Sequence, residues 1–294
     1  MNRLAARLGA HRPVLLDGGM GTLLQDAGLE DGAPGELWNL ENRDAVRTAH
    51  AAYAEAGARL LTTNTFGGTR PRLEMHGLGD RVGEVNRTAA QIARSVADER
   101  GLLVAGDLGP TGELLAPLGA MTREEAQELF AEQLTGLVEG GIDLVLVETL
   151  SDLGEAEAAL AAAHKIAPGL PVAVTMSFDT NRRTMMGVRP ADAVAHLAEA
   201  GADAVGANCG RGPADMELIA AEMARVRTGD LLLIAQSNAG LPQVVGDHFE
   251  YDATADEMAA HASRLAELGI DLIGGCCGST PEHIAAMDAI LNPT

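Results

Sequence analysis

The chain has three cysteines, and all of them fall in two short glycine-flanked segments: Cys209 in Ala207-Asn208-Cys209-Gly210, and an adjacent pair in Gly274-Gly275-Cys276-Cys277-Gly278. An odd count with two neighbours side by side is a poor disulfide framework. Three thiolates that leave a fourth position free suit a catalytic zinc, which binds sulfur at about 2.3 Å in a tetrahedron. Adjacent residues reach one ion only if the backbone turns sharply, and the flanking glycines permit that turn. A single cysteine would read as an inert buried thiol, but here no other cysteine dilutes the set. Three thiolates on Zn2+ leave a net charge of about −1, so a fourth thiolate brought by a substrate stays electron-rich and nucleophilic. Such a site activates a thiol, whereas zinc sites that make hydroxide more usually use neutral histidines.

The elements that would position these residues recur along the whole chain. Short aliphatic runs lie at Val14 to Leu16, Leu60 to Thr63, Leu102 to Ala105, Leu144 to Val147, Val172 to Met176, Ala204 to Ala207, Leu231 to Ala235 and Asp271 to Ile273. Each is followed by a small or polar turn and an Ala-, Glu- and Leu-rich stretch of helical period. These stretches include Asp44 to Ala56, Arg81 to Glu99, Asp152 to Ile166, Pro190 to Ala200, Ala214 to Arg225, Thr254 to Leu268 and Pro281 to Leu291, and Thr122-Arg123-Glu124-Glu125 has the form of a capping box. Eight strand-helix units predict a (β/α)8 TIM barrel, read as a single domain over residues 1–294. A doubly wound sheet would usually have fewer strands.

Active sites of this fold collect at the C-terminal ends of the strands. The polar residues there are Asp17, Asn64, Asp107, Glu148, Ser177, Asn208 with Cys209, Gln236 with Asn238, and Cys276 with Cys277. Asp17 and Glu148, ending the first and fourth strands, can grip a cationic amine across the mouth; the alternative is that they cap the following helices. A thiol that is also an amine satisfies metal and carboxylates together. Aromatic residues make up only 2% of the chain, which singles out Trp38 and Phe66 in the loops after strands one and two. A Trp face can hold an onium methyl group by cation–π attraction, against the commoner role of packing anchor. Phe249 and Tyr251, in Asp247-His248-Phe249-Glu250-Tyr251, are further candidates, and His248 reads as a polar loop residue.

Composition removes several classes. A formal net charge of −21 opposes binding to nucleic acid. Lys165 is the only lysine and sits in a helical stretch, which argues against Schiff-base chemistry, and no Gly-rich loop ends in Lys-Ser/Thr. With 47% apolar residues and mean hydropathy near zero, the chain is expected to be globular. No apolar run reaches the ~20 residues of a membrane span, and the first residues lack a secretory apolar core. A cytoplasmic protein with reduced thiols is the expectation.

With these residues in view, the chain resembles the homocysteine S-methyltransferase family. The resemblance rests on Leu16-Asp17-Gly18-Gly19-Met20-Gly21-Thr22, Thr63-Asn64-Thr65-Phe66, Gly109-Pro110-Thr111-Gly112, Val147-Glu148-Thr149, Gly206-Ala207-Asn208-Cys209, Asn238-Ala239-Gly240 and Gly274-Gly275-Cys276-Cys277-Gly278, and covers nearly the whole chain. It implies that Cys209, Cys276 and Cys277 bind Zn2+, that homocysteine sulfur takes the open position, and that Asp17 and Glu148 contact its amino group. Phe66, Asn238 and Trp38 join the implied substrate-binding residues. The implied reaction is in-line methyl transfer to the thiolate, giving methionine, with no general base beyond the metal.

For the donor, Ser177 to Gly187, Gly246-Asp247-His248-Phe249 and Glu36-Leu37-Trp38-Asn39 look like bacterial betaine-type members, so a small onium donor, glycine betaine, is expected. S-methylmethionine or a methylcorrinoid protein are the alternatives; methionine synthases carry folate, corrin and reactivation modules as well. A protein that merely stores zinc, or uses it structurally, would need the cysteines but not the two acids. A homo-oligomer is compatible with the resemblance, although the C-terminal extension of the tetrameric animal betaine enzymes is missing.

Overall fold

A computed structural model describes residues 2–9, 13–30, 32–245 and 248–293. Gly246, Asp247 and the side chains of His248 and Phe249, all named above, lie outside the description. The strands are β1 Val14–Leu15, β2 Leu60–Thr62, β3 Leu103–Leu108, β4 Leu144–Leu150, β5 Val172–Met176, β6 Ala204–Cys209, β7 Leu232–Ser237, β8 Gln243–Val245, β9 His248–Glu250 and β10 Leu272–Gly275. Eight of them form one parallel sheet in the order β1-β10-β7-β6-β5-β4-β3-β2. A parallel bridge from Leu16 to Leu60 joins the two edge strands, and the Arg59 amide donates to the Leu15 carbonyl at 2.8 Å. The eight aliphatic runs are therefore the staves of the expected (β/α)8 barrel.

Period-two alternation divides each stave between two cores. Val104, Val145, Val147, Val174, Val205, Leu233 and Ile273 face the surrounding helices, while Leu16, Leu60, Ala105, Leu146, Ala173, Ile234 and Leu272 fill the barrel interior. Two residues further along the same inward rows stand Thr62, Asp107, Glu148, Thr175 and Gln236. The interior thus changes from apolar to polar one layer below the mouth, which places the chemistry at the C-terminal end. The opposite end is closed by the helix Arg3–Leu8, whose Leu4 enters the interior cluster. Asn2 and Arg3 hold it there through the Asp203 carbonyl at 2.6 Å and the Asp203 carboxylate at 2.8 Å.

The long helices follow the expected stretches within a residue or two, for example Arg43–Glu55, Val82–Arg100 and Pro281–Leu291. The capping box forms: the Thr122 hydroxyl accepts from the Glu125 amide at 3.1 Å, and the Glu125 carboxylate accepts from the Thr122 amide at 2.7 Å. Elements absent from the sequence reading are the helices Arg3–Leu8, Met20–Asp26, Trp38–Glu41 and Arg70–Glu74 and the hairpin β8–β9. All are too short to display a period. Among the described residues no helix is long and apolar enough to cross a membrane.

Candidate functional site

Cys209 is the last residue of β6, and Cys276 and Cys277 follow β10 directly. Their Sγ atoms stand 3.3 Å (Cys209–Cys276), 3.8 Å (Cys209–Cys277) and 3.9 Å (Cys276–Cys277) apart. The edge of a tetrahedron with Zn–S near 2.3 Å is about 3.8 Å, so three soft donors stand on one face of a zinc-sized tetrahedron and fit that ion. The turn that lets neighbouring cysteines converge closes with the Ser279 amide on the Cys276 carbonyl at 3.1 Å. Its Gly278 has φ +75°, and a Cβ there would overlap the Tyr251 ring. Cys209 itself has φ +61°, a costly conformation for a residue with a Cβ and of the kind that collects at functional sites.

Asn208 and Asn238 hold this arrangement. The Asn208 amide nitrogen donates to Thr149 Oγ1 at 2.7 Å and lies 3.9 Å from Cys276 Sγ, while its oxygen accepts from the Thr149 amide at 2.9 Å and Thr175 Oγ1 at 2.8 Å. Thr149, directly after Glu148, has φ +64°. Asn208 thus ties the strained end of β4 to the cysteine cluster. Asn238 donates to the Gly210 carbonyl at 2.9 Å and accepts from the Cys277 amide at 3.2 Å. The amide of Asn238, expected among the substrate contacts, clamps the two cysteine-bearing segments together.

Hydrogen bonds from Cys209 and Cys276 pull the Cys277 thiol down to about 3. The Cys276 thiol is pushed well above its usual range by its bonds to Cys209 and Cys277, and Cys209 is also raised. Within the metal-free cluster Cys277 is thus favoured as the thiolate and the other two as thiols. Zinc binding there would displace the protons those thiols keep, so its affinity is expected to rise with pH. Chelator competition at pH 6.5, 7 and 7.5 checks this; a pH-independent affinity would refute the three-thiolate site.

The cluster opens into a cavity of about 940 Å3 whose walls include Asp17, Glu148, Asp107, Phe66 and Tyr251. Both Asp17 oxygens are engaged by Thr62: Oδ2 accepts from its amide at 2.6 Å and Oδ1 from its hydroxyl at 2.8 Å. Burial outweighs these bonds and raises Asp17 to about 7. Glu148 has no hydrogen-bond partner among the described residues, and burial, with the charges of Cys277 and Asp17, raises it to about 8. Neither acid caps a helix. The helix after β4 is capped by Asp152, which accepts from the Gly154 amide at 2.6 Å. A buried and a half-buried acid with no cation beside them are poised for a cationic group from solution.

Of the aromatic candidates, Phe66 and Tyr251 line the cavity and Trp38 does not. Successive residues in a helical turn are about 100° apart, so Glu36, which faces the cavity and accepts from the Gly67 amide at 2.5 Å, sends Trp38 to the far side. There the half-buried indole packs against the cluster of Leu24, Leu29, Val46, Ala49 and Ile92. Trp38→Ala is therefore expected to lower unfolding free energy by about 2 kcal/mol and leave donor KM unchanged. Denaturation combined with steady-state kinetics checks it, and a selective rise in donor KM would return Trp38 to the site. Asp107, Asn208 and Gln236 stand among the polar strand ends that the sequence places at the mouth without a role, while Thr62 and Thr149 are not singled out there, although both lie at strand ends too.

The family model for homocysteine S-methyltransferase matches residues 14–291. The methionine synthases of Mycobacterium leprae and Mycobacterium tuberculosis are 35% and 34% identical, each over 95% of this chain. The chain spans about a quarter of their length, 24% and 25% respectively. Among solved structures, the metallated form of the homocysteine methyltransferase MmuM from Escherichia coli superposes with a TM-score of 0.82 at 26% identity, covering 98% of this chain and 99% of that one.

Proposed function

We propose, from the premise that this chain belongs to the homocysteine S-methyltransferase family, that it transfers a methyl group from a small onium donor, glycine betaine, to homocysteine and so makes methionine. The observation that carries this reading is the meeting, in one cavity, of a three-cysteine cluster with carboxyls that have no cation beside them. Homocysteine offers a thiol for the first and an ammonium for the second.

Cys209, Cys276 and Cys277 would hold Zn2+, which when bound supplies a Lewis acid for the homocysteine sulfur and lowers the thiol pKa. Glu148 and Asp17 bind and orient the ammonium, with Thr62 fixing the rotamer of Asp17. In the transfer, the thiolate sulfur forms a bond to the methyl carbon as the methyl–nitrogen bond of the donor breaks. The electron pair leaves on nitrogen, giving dimethylglycine. Holding both partners in line is the larger part of the protein's contribution.

For the donor, the cavity has room for a second small molecule. Phe66 and Tyr251 offer aromatic faces to an onium centre. Arg72 lines the same cavity and makes no ion pair or side-chain hydrogen bond among the described residues. A free guanidinium within a largely acidic wall suits a donor that carries a carboxylate as well as its cation. A second reading, with a methylcorrinoid protein as donor, is favoured by the placement of Trp38 outside the cavity and the likeness to methionine synthases. The test is to supply the zinc-loaded protein with homocysteine and, separately, glycine betaine, S-methylmethionine or methylcobalamin, and to follow methionine. Product from betaine supports the first reading. Product from methylcobalamin alone supports the second, and none with any donor sinks both. A cytoplasmic enzyme acting on small molecules, with no nucleic-acid or membrane partner, completes the proposal.

A further inference from the structure

We infer that Asp107 is a third recognition group for the substrate ammonium and the one that makes the site select an amino thiol over a plain thiol; this rests on the homocysteine reading above. Asp107 stands in the inward row of β3, two residues above Ala105 of the apolar interior, and lines the cavity together with Asp17 and Glu148. It is 2% exposed. Its Oδ1 is buried without any hydrogen-bond partner.

The backbone of Asp107 is fully used by the fold: its amide donates to Thr63 Oγ1 at 3.0 Å, and its carbonyl accepts from Thr65 Oγ1 at 2.8 Å and the Gln133 amide at 3.1 Å. Of the side chain, the neighbouring Leu108 amide reaches the carboxylate, but Oδ1 is left without a donor. A buried acceptor with nothing to accept costs about 1–3 kcal/mol, so an orphan acceptor on a cavity wall marks the place where a ligand donor arrives. Burial first, and then the charges of Glu148, Glu36 and Asp17, push the Asp107 carboxyl well above its usual range, and among the described residues no arginine or lysine pairs with it. Asp17 differs from it, because Thr62 occupies both its oxygens and fixes their direction. Glu148 and Asp107 are thus the carboxyls with open acceptor positions, and an ammonium group has three N–H donors to share among the three acids.

The test uses the Co2+-substituted protein, whose thiolate-to-metal charge-transfer absorption grows when a fourth thiolate binds, so the readout does not depend on the methyl donor. Homocysteine and 4-mercaptobutanoate, which is homocysteine without its amine, are titrated into wild type and Asp107→Asn. In wild type homocysteine is expected to bind far more tightly. In Asp107→Asn its affinity should fall about 10- to 100-fold while that of 4-mercaptobutanoate stays within about twofold, with cobalt content unchanged. Asp107→Ser replaces the Asn variant if that protein does not fold. An unchanged ratio between the two thiols, or an equal loss of both, overturns the inference and leaves Asp107 a buried structural carboxyl. A wild-type spectrum unmoved by homocysteine overturns both this inference and the homocysteine reading.

Discussion

Cys277→Ala is expected to lose zinc and methyl transfer together while remaining folded. Removing one of three thiolates takes away roughly a third of a zinc binding free energy that lies near 10–16 kcal/mol in thiolate-rich sites, so affinity falls by about a few hundredfold to several thousandfold. The barrel has no share in that loss. The cysteines sit beyond the last interior layer of Leu16, Ile234 and Leu272, so the melting curve of the variant should overlay that of metal-free wild type. Metal analysis after dialysis against a weak chelator, alongside methionine formation, measures both effects. One zinc per chain retained in the variant would remove Cys277 from the ligand set.

Glu148→Ala is expected to weaken homocysteine binding by about 10- to 150-fold, corresponding to about 1.5–3 kcal/mol for a charge-assisted hydrogen bond, with zinc content kept. Glu148→Gln should recover only part of this, since an amide accepts a hydrogen bond but carries no charge. The separation of effects follows from position: Glu148 points into the cavity and bonds to none of the cysteines, and the Asn208 bridge that links its strand end to Cys276 runs through Thr149. Isothermal titration with homocysteine and parallel metal analysis separate the two quantities. Unchanged homocysteine affinity would leave Glu148 without a role in amine recognition, because the neighbouring helix already has its cap in Asp152.

The barrel and the cysteine cluster were legible in the linear chain, and for a shared reason. Strand ends are local features: an aliphatic run, a polar residue and a helical stretch are read within a dozen positions, and the fold brings all eight ends to one mouth. The cysteine pattern and the acids at 17 and 148 therefore found their places from type and position alone. The short elements did not, because seven residues or fewer hold no period, and with them went the direction of everything they carry. Glu36 and Trp38 are two residues apart, yet one faces the cavity and the other an apolar cluster behind it. Asn238 likewise carries the right chemistry for a substrate contact, but its amide is already bound between Gly210 and Cys277.

Residue type, strand-end position and alternation by two determined from the sequence that this chain is a barrel with three cysteines and several carboxyls gathered at its mouth. Only the tertiary structure decided which of those groups are free to meet a ligand. How a polar atom is held depends on partners far away along the chain: Asp17 is oriented by Thr62, forty-five positions on, and Asn208 is taken up by Thr149 and Thr175. For Asp107 the nearby strands present no donor to Oδ1. That vacancy is a property of packed neighbours, which period and composition do not encode.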